Sequence, residues 1–180
     1  IDLGFYYYDS QQSLWIPARG NDWHTTGNKG TEAGTNFLGT TDNTSLMFKV
    51  NDVKSGWISN TTDSNTGIGY NTLTGSSSST AGSALNNVAL GKNTLANANS
   101  AFTWSNIAIG NNVLKNATDP RYNTAIGDNS QSSLTTGRNN VSLGVSTLAN
   151  ATTGGLNTAI GGSSMGITTG AANNALGLST

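Results

Sequence analysis

A five-residue motif recurs along the chain at a nearly constant spacing, and it constrains the fold more than any other feature. The motif reads Asn-x-small-(Ile/Leu)-Gly, and its seven copies end at Gly69, Gly91, Gly110, Gly127, Gly144, Gly161 and Gly177. Successive motif glycines are 22, 19, 17, 17, 17 and 16 residues apart. A period of this kind indicates an array of stacked structural units. The sequence therefore predicts a repeat region of about seven units over residues 61–180.

The rest of each unit keeps phase with the motif. An apolar residue usually lies four places after the motif glycine, as at Leu114, although Gln131 occupies this place in one unit and Leu134 follows it. Thr-Thr-Gly closes several units, as at residues 152–154. Each unit therefore reads as a strand, a glycine corner, a short second strand and a second corner. About 17 residues with two corners and no 3.6-residue period predict an all-β solenoid, one coil per repeat.

The alternation of side chains along a strand assigns faces within the motif. We expect the apolar second and fourth positions to form the core of the coil. The third position is always small, and it never carries Lys, Arg or Glu. Because so narrow a coil buries few apolar side chains, we expect another subunit to pack against the small face. The predicted subunit-interface residues are Ala89, Ala108, Ala125, Ser142, Ala159 and Ala175.

Copies such as Asn-Thr-Ala-Ile-Gly at residues 123–127 resemble the head repeats of trimeric autotransporter adhesins. The longer unit with its Thr-Thr-Gly ending is similar to repeats of bacterial surface proteins related to tail fibres. The N-terminal segments 5–9, 14–17 and 34–42 also resemble modules of that group. The resemblance implies a left-handed parallel β-roll in an intertwined homotrimer. It also implies an extracellular location, on a cell surface or on a virion or tail fibre.

Residues 1–60 differ in composition from the repeats and hold nine of the thirteen aromatic residues. Residues 5–8 and 13–16 read as a β-hairpin, and residues 46–50 read as a strand with one buried face. We expect a small N-terminal β module over residues 1–60 that caps the solenoid and connects it to a preceding segment.

Composition narrows the classes of partner and site. Charged residues make up 9% of the chain and the net charge is −1, so nothing favours nucleic acid as a partner. The chain has no cysteine, which removes disulfides and Cys-ligated metals. No apolar run reaches the length of a membrane helix, so no membrane insertion is expected in this segment. The chain begins without Met and stops within a repeat, so we interpret it as a piece of a longer protein.

Catalytic chemistry finds little support in the sequence. The single histidine, His24, has no nucleophile motif near it and is expected to be a loop residue. Asp63, Asp119 and Asp128 are the repeat region's only acids, and turn roles suit the last two better than glycoside hydrolysis. No Asp-rich calcium-binding repeat is present, which disfavours a calcium-dependent roll. Because acids and bases are so scarce, we predict a non-enzymatic protein without cofactor or metal.

Large residues on the irregular coils are the candidates for receptor binding, because exposed aromatic rings stack on sugars. They are Trp104, Phe102, Tyr70, Arg121 and Tyr122, which could instead pack against a neighbouring subunit. The motif asparagines either hold an anion or water along a trimer axis or serve as turn residues. The sequence thus favours a homotrimeric fibre segment that attaches to a cell-surface receptor or glycan. The alternative is a monomeric ligand-binding solenoid, carbohydrate-binding or ice-binding.

Overall fold

The structure is a computed structural model of the 180-residue chain. It describes residues 6–10, 13–17, 31–32, 34, 37–59, 64–74, 85–98, 102–166 and 170–179, with the side chains of 6, 7, 9 and 14–17 excepted. The expectations for His24 and Asp63 lie outside the described residues. The chain divides into two compact units, Ile1–Gly39 and Thr40–Thr180.

The first unit contains the predicted β-hairpin. Strand β1 spans Tyr6–Asp9 and β2 spans Leu14–Pro17, and the two pair in antiparallel register with Tyr8 opposite Trp15. Ser13, just before β2, has a φ of 50°, which matches the tight reversal between two such short strands.

The second unit is a β-solenoid with coils of about 17 residues, which confirms the predicted architecture. Its strands are β3 (Leu46–Val50), β4 (Val53–Ile58), β5 (Thr66–Ile68), β6 (Val88–Leu90), β7 (Ile107–Ile109), β8 (Thr124–Ile126), β9 (Val141–Leu143), β10 (Thr158–Ile160) and β11 (Asn174–Leu176). Strands β3 to β11 form one nine-stranded sheet in sequence order. Strands β5 to β11 are the seven motif copies and pair in parallel, each with its equivalent in the next coil. The described residues contain no helix, and so no membrane-spanning one.

A hairpin closes the N-terminal end of the solenoid. Strands β3 and β4 are joined at Asn51 and Asp52, whose φ values of 48° and 60° suit a tight hairpin turn. Strand β4 pairs in antiparallel with β5, and the buried Trp57 indole lies over the end of the core. A Cβ atom on Gly67 would lie 2.9 Å from Trp57 Nε1, so the indole explains why the first motif carries glycine where later motifs carry alanine or serine. Lys54 Nζ lies 4.8 Å from the Trp57 ring centroid, and burial lowers the pKa of this ammonium group.

The second strand predicted for each coil is replaced by a tight turn segment in the described coils. In the coil after β7, Asn112 and Leu114 have φ values of 56° and 49°, and Gly110 has a φ of 128°. Left-handed residues at alternate positions interrupt a strand because they break its extended backbone. Adjacent segments still bond to one another, as when Leu95 N–H donates to the Val113 carbonyl at 3.0 Å.

The predicted orientation of the motif strand is wrong. Among the six predicted interface residues, Ala89, Ala108, Ala125, Ser142 and Ala159 are fully buried inside their own chain, and Ala175 in the last coil is partly buried. Positions two and four point outward instead. The alternation of side chains separates two faces of a strand, but it does not tell which face is interior.

The interior is filled from the opposite side of the coil. Leu95, Leu114 and Leu148, four places after their motif glycines, are fully buried in the same core cluster as the motif alanines. At the first motif, a Cβ atom on Gly67 would lie 3.3 Å from Leu73 Cδ1, which shows how closely this leucine approaches the third position. The small side chains are therefore explained by the chain's own leucines and not by a neighbouring subunit.

The motif asparagines form a buried ladder through the interior. Asn123 Nδ2 donates to Asn106 Oδ1 at 3.1 Å and to the Gly137 carbonyl at 2.9 Å, and its backbone N–H donates to Asn106 Oδ1 at 3.0 Å. Asn140 repeats the pattern one coil later. Each asparagine thus links three coils. The left-handed backbone conformation lies at the residue before the motif asparagine, such as Tyr122 with a φ of 56°.

In one coil a buried glutamine replaces the core leucine, and we call this replacement the polar exchange. Gln131 replaces the usual leucine, and its Nε2 donates to Ser142 Oγ at 2.7 Å, while Ser130 Oγ and Ser142 Oγ are 2.6 Å apart. The fully buried Leu134 occupies the place that Ala117 and Ala151 take in neighbouring coils. In this coil the large apolar side chain is therefore Leu134, three residues after the usual leucine position. The glutamine at the usual position, Gln131, is hydrogen-bonded to Ser142, which is the third residue of the next motif.

Candidate functional site

A mainly apolar surface, with threonine or asparagine at four of its positions, runs along the outside of the parallel sheet. We call it the sheet face and define it by the outward second and fourth motif positions of β5 to β11. The fourth positions are Ile68, Leu90, Ile109, Ile126, Leu143, Ile160 and Leu176. The second positions are Thr66, Val88, Ile107, Thr124, Val141, Thr158 and Asn174.

Several aliphatic side chains of the sheet face are more than a third exposed. Ile107 is 42% exposed, and Ile126 and Ile160 are each 37% exposed. No charged residue occupies either column of side chains. The hairpin extends the surface, because Ile58 lies opposite Thr66 and is also exposed. At about 4.8 Å per strand, nine strands give an apolar surface roughly 38 Å long.

A second surface gathers aromatic and charged side chains at one corner of the solenoid. Residues 85, 104, 121 and 138 occupy equivalent places in successive coils and are joined by parallel bridges. They are Leu85, Trp104, Arg121 and Arg138. Side chains at bridged positions of adjacent coils lie on the same side, so Trp104, Arg121 and Arg138 form one column.

Arg121 holds this corner together. Its Nε donates to Asp119 Oδ1 at 3.2 Å and its Nη2 donates to Asp119 Oδ2 at 3.0 Å. Its guanidinium carbon lies 4.6 Å from the Phe102 ring centroid and 5.4 Å from that of Trp104. The two rings meet edge to face, with centroids 5.8 Å apart and planes at 62°. A guanidinium that is both paired and stacked fixes the positions of the rings around it. Phe102, Trp104, Asp119, Arg121 and Arg138 are called the corner cluster below.

The structure brings four of the five predicted receptor residues into one region. Phe102 and Trp104 contact Arg121, and Tyr122 follows it with its side chain 53% exposed. Tyr70 does not join them, because it directly follows a motif glycine at a different corner of its coil. It is 57% exposed.

Two members of the corner cluster, Asp119 and Arg138, are not among the site residues predicted from the sequence. Asp119 was interpreted as a turn residue, and it also pairs with Arg121. Arg138 was not selected, although it lies 17 residues after Arg121 and therefore at the same place in the next coil. Aligning the repeats and comparing equivalent positions could have found Arg138, since the period alone places it beside Arg121.

The acidic residues of the described coils make local structural contacts. Asp128 Oδ1 accepts hydrogen bonds from the Asn111 backbone N–H at 2.9 Å and from Asn111 Nδ2 at 3.3 Å. These bonds lower the pKa of the Asp128 carboxyl. Among the described residues, no group of three or more His, Cys, Asp or Glu side chains could hold a metal ion.

Comparison with known proteins gives no family assignment, since no protein-family model, curated protein or solved structure matches this chain.

Proposed function

We propose that this chain is a non-enzymatic segment of a homotrimeric fibre, either a surface adhesin or a tail fibre of a phage or injection system. In this role it attaches its carrier to a cell-surface receptor or glycan outside the cell. The observation that carries the proposal is the sheet face, which we assign to contact between copies of the chain.

The composition of the sheet face supports contact between copies. A solenoid that works alone gains solubility from charged side chains on its outer faces, and contiguous apolar patches usually mark interaction sites. Here the fourth motif position is aliphatic in all seven copies, while Lys92 and Lys115 lie in other parts of their coils. A partner with the same repeat spacing would match this surface coil for coil, and a second copy of the chain has that spacing.

Three copies and left-handed winding are favoured by the resemblance of the motif to trimeric adhesin heads. In a closed ring each copy contacts two others, so the sheet face would be covered from both sides. The aliphatic side chains of the fourth positions, together with Val88, Ile107 and Val141 of the second positions, would then meet near the common axis. This arrangement replaces the small-residue interface expected from the sequence, because those residues lie in the interior.

The solution mass of the chain tests the proposal. Light scattering behind a sizing column should give about 55 kDa, three times the 18.4 kDa of one chain. The variant Ile109→Glu/Ile126→Glu should fall to the monomer mass while keeping its β signal in circular dichroism. Lys115→Glu, an exposed change away from the sheet face, should leave the mass unchanged.

Other outcomes would contradict the trimer. A wild-type monomer with full β content would favour the single-chain, ligand-binding solenoid. A dimer would keep the sheet face as an interface but exclude three-fold symmetry. Ala125→Glu adds a check on the orientation of the strand, since it places a carboxylate in the core and should abolish the β signal and the oligomer together.

A further inference from the structure

We propose that the corner cluster binds an acidic saccharide, with a sugar ring on the aromatic side chains and its anionic substituent on Arg138. The inference deepens the proposed function, because it names the ligand class by which such a fibre would attach. The anion can be a carboxylate or a phosphate, since a guanidinium binds either through paired hydrogen bonds.

The aromatic part of the cluster is prepared for a flat, partly apolar ligand. Phe102 is 49% exposed, whereas the Trp104 side chain is partly buried. Phe102 meets Trp104 edge to face and has Arg121 against its ring. The rings are therefore positioned before a ligand arrives, which lowers the entropy cost of binding. The C–H face of a pyranose ring suits such a surface.

The ion pair in the cluster supplies groups for sugar hydroxyls. Asp119 accepts one hydrogen bond from Arg121 Nε and one from Arg121 Nη2. The other N–H donors of the guanidinium, which has five in all, remain available for a ligand. Both side chains are partly exposed, at 20% for Arg121 and 25% for Asp119. A hydroxyl at this position could donate to the carboxylate and accept from the guanidinium. The pair is electrically neutral and so contributes hydrogen bonding without preference for an ion.

Arg138 supplies the preference for an anion. It is exposed and follows Arg121 in the column, and it forms no ion pair within the described part of the chain. The other described acid of the repeat region, Asp128, lies after a motif glycine, the same place in its coil as Tyr70. The corner therefore carries one uncompensated positive charge beside an aromatic platform. An acidic sugar satisfies both features, whereas a neutral sugar satisfies only the platform.

Two matched ligand pairs test the proposal on the whole chain. One is oligogalacturonate with its carboxyl-reduced form, and the other is a phosphorylated mannan before and after phosphatase treatment. Titration calorimetry or saturation-transfer NMR should show that at least one acidic member binds about tenfold more tightly than its neutral partner. Arg138→Gln should remove this preference, and Arg138→Lys should restore part of it.

Variants of the aromatic residues distinguish the contribution of ring stacking to ligand binding from the contribution of charge. Phe102→Ala should weaken binding of the acidic member about tenfold, while Tyr70→Ala removes a comparably exposed ring elsewhere and should change nothing. Lys115→Gln provides the matched loss of one positive charge away from the cluster and should also be silent. Equal binding of both members of each pair would overturn the proposal, as would an unchanged preference in Arg138→Gln.

The mass of each sample, measured alongside binding, keeps the two proposals apart. If the chain is monomeric but Arg138 confers the preference, the fibre assignment fails and the saccharide site remains. If the chain is trimeric and no acidic member is preferred, only the saccharide site fails. If Phe102→Ala lowers the mass without changing binding, the cluster belongs to a subunit contact and the inference is wrong.

Discussion

Single asparagine side chains decide whether the coils can stack. Each buried amide in the middle of the ladder donates two hydrogen bonds and accepts two, as Asn106 does with Asn87, Asn123 and Pro120. No other side chain of this size supplies both donors and an acceptor in a neutral form. The repeat could be found by counting, but this role could not, since a turn residue and a ladder residue look alike in one sequence.

Asn123→Asp tests the ladder. The change turns two donors into acceptors facing Asn106 Oδ1 and the Gly137 carbonyl, and it places a carboxylate in the interior. We expect a loss of about 3–5 kcal/mol in the free energy of unfolding at pH 7. Asn139→Asp changes an exposed neighbouring asparagine and should cost less than about 0.5 kcal/mol. Chemical denaturation of both variants measures the difference.

The penalty at Asn123→Asp should depend on pH. Burial raises the pKa of the new carboxyl in the folded state above its value of about 3.9 in the unfolded chain. The folded protein therefore binds the proton more tightly, and the variant is most stable below the unfolded pKa. Its stability should fall as the pH rises through the folded pKa and then level off. A penalty that is the same at pH 3 and pH 7 would show that the side chain reaches water.

The polar exchange at Gln131 gives a second prediction at this scale. Ser142→Ala removes the acceptor of Gln131 Nε2 and the partner of Ser130 Oγ, and Gln131 Oε1 already lacks a partner among the described residues. We expect a loss of about 1–3 kcal/mol. The triple variant Gln131→Leu/Leu134→Ala/Ser142→Ala restores the pattern of the neighbouring coils and should recover that loss. Thermal unfolding compares them, and a triple variant less stable than Ser142→Ala would contradict the exchange.

The elements of the coil were only partly predictable from the sequence. Parallel strands and their register follow from the period, because equivalent motif residues pair throughout, as Ala108 does with Ala125. Which face of the strand is interior depends on the turn segment opposite it. That segment has left-handed leucines such as Leu114, and no propensity rule favours a leucine there. Two predictions from the sequence therefore fail for the same reason, which is the left-handed turn segment. It places leucines against the third motif position, and it stands where a second strand was predicted.

The glycine corner gives a prediction at the scale of the element. Gly144 has a φ of 135°, and a Cβ atom there would lie 2.7 Å from the Gly161 carbonyl oxygen. Gly144→Ala should therefore cost more than about 3 kcal/mol, since strain and collision act together. Gly166→Ala is the control, because its Cβ would meet only Ser163 O at 3.9 Å. Equal losses in denaturant would argue against this corner geometry.

For the whole molecule, stability should depend on concentration if copies associate through the sheet face. Mass action links unfolding to dissociation, so a hundredfold rise in protein concentration should raise the Tm of a trimer on the order of 5 °C. Ile109→Glu/Ile126→Glu should lower the Tm and make it independent of concentration. Scanning calorimetry at several concentrations measures both. A wild-type Tm that does not move with concentration would contradict association.

The stacking of coils has a mechanical consequence for the fibre role proposed above. The backbone hydrogen bonds between neighbouring coils, such as that from Thr124 N–H to the Asn140 carbonyl at 2.8 Å, run from coil to coil. A pull on the two ends of the solenoid therefore puts the same force on every coil boundary, and the boundaries separate one after another because they do not share the load. Each release would free about 17 residues and lengthen the tether by at most about 53 Å, the extended length less the rise of about 4.8 Å that the folded coil already spans. The solenoid would then yield in steps and absorb energy at each one, as a shock absorber does.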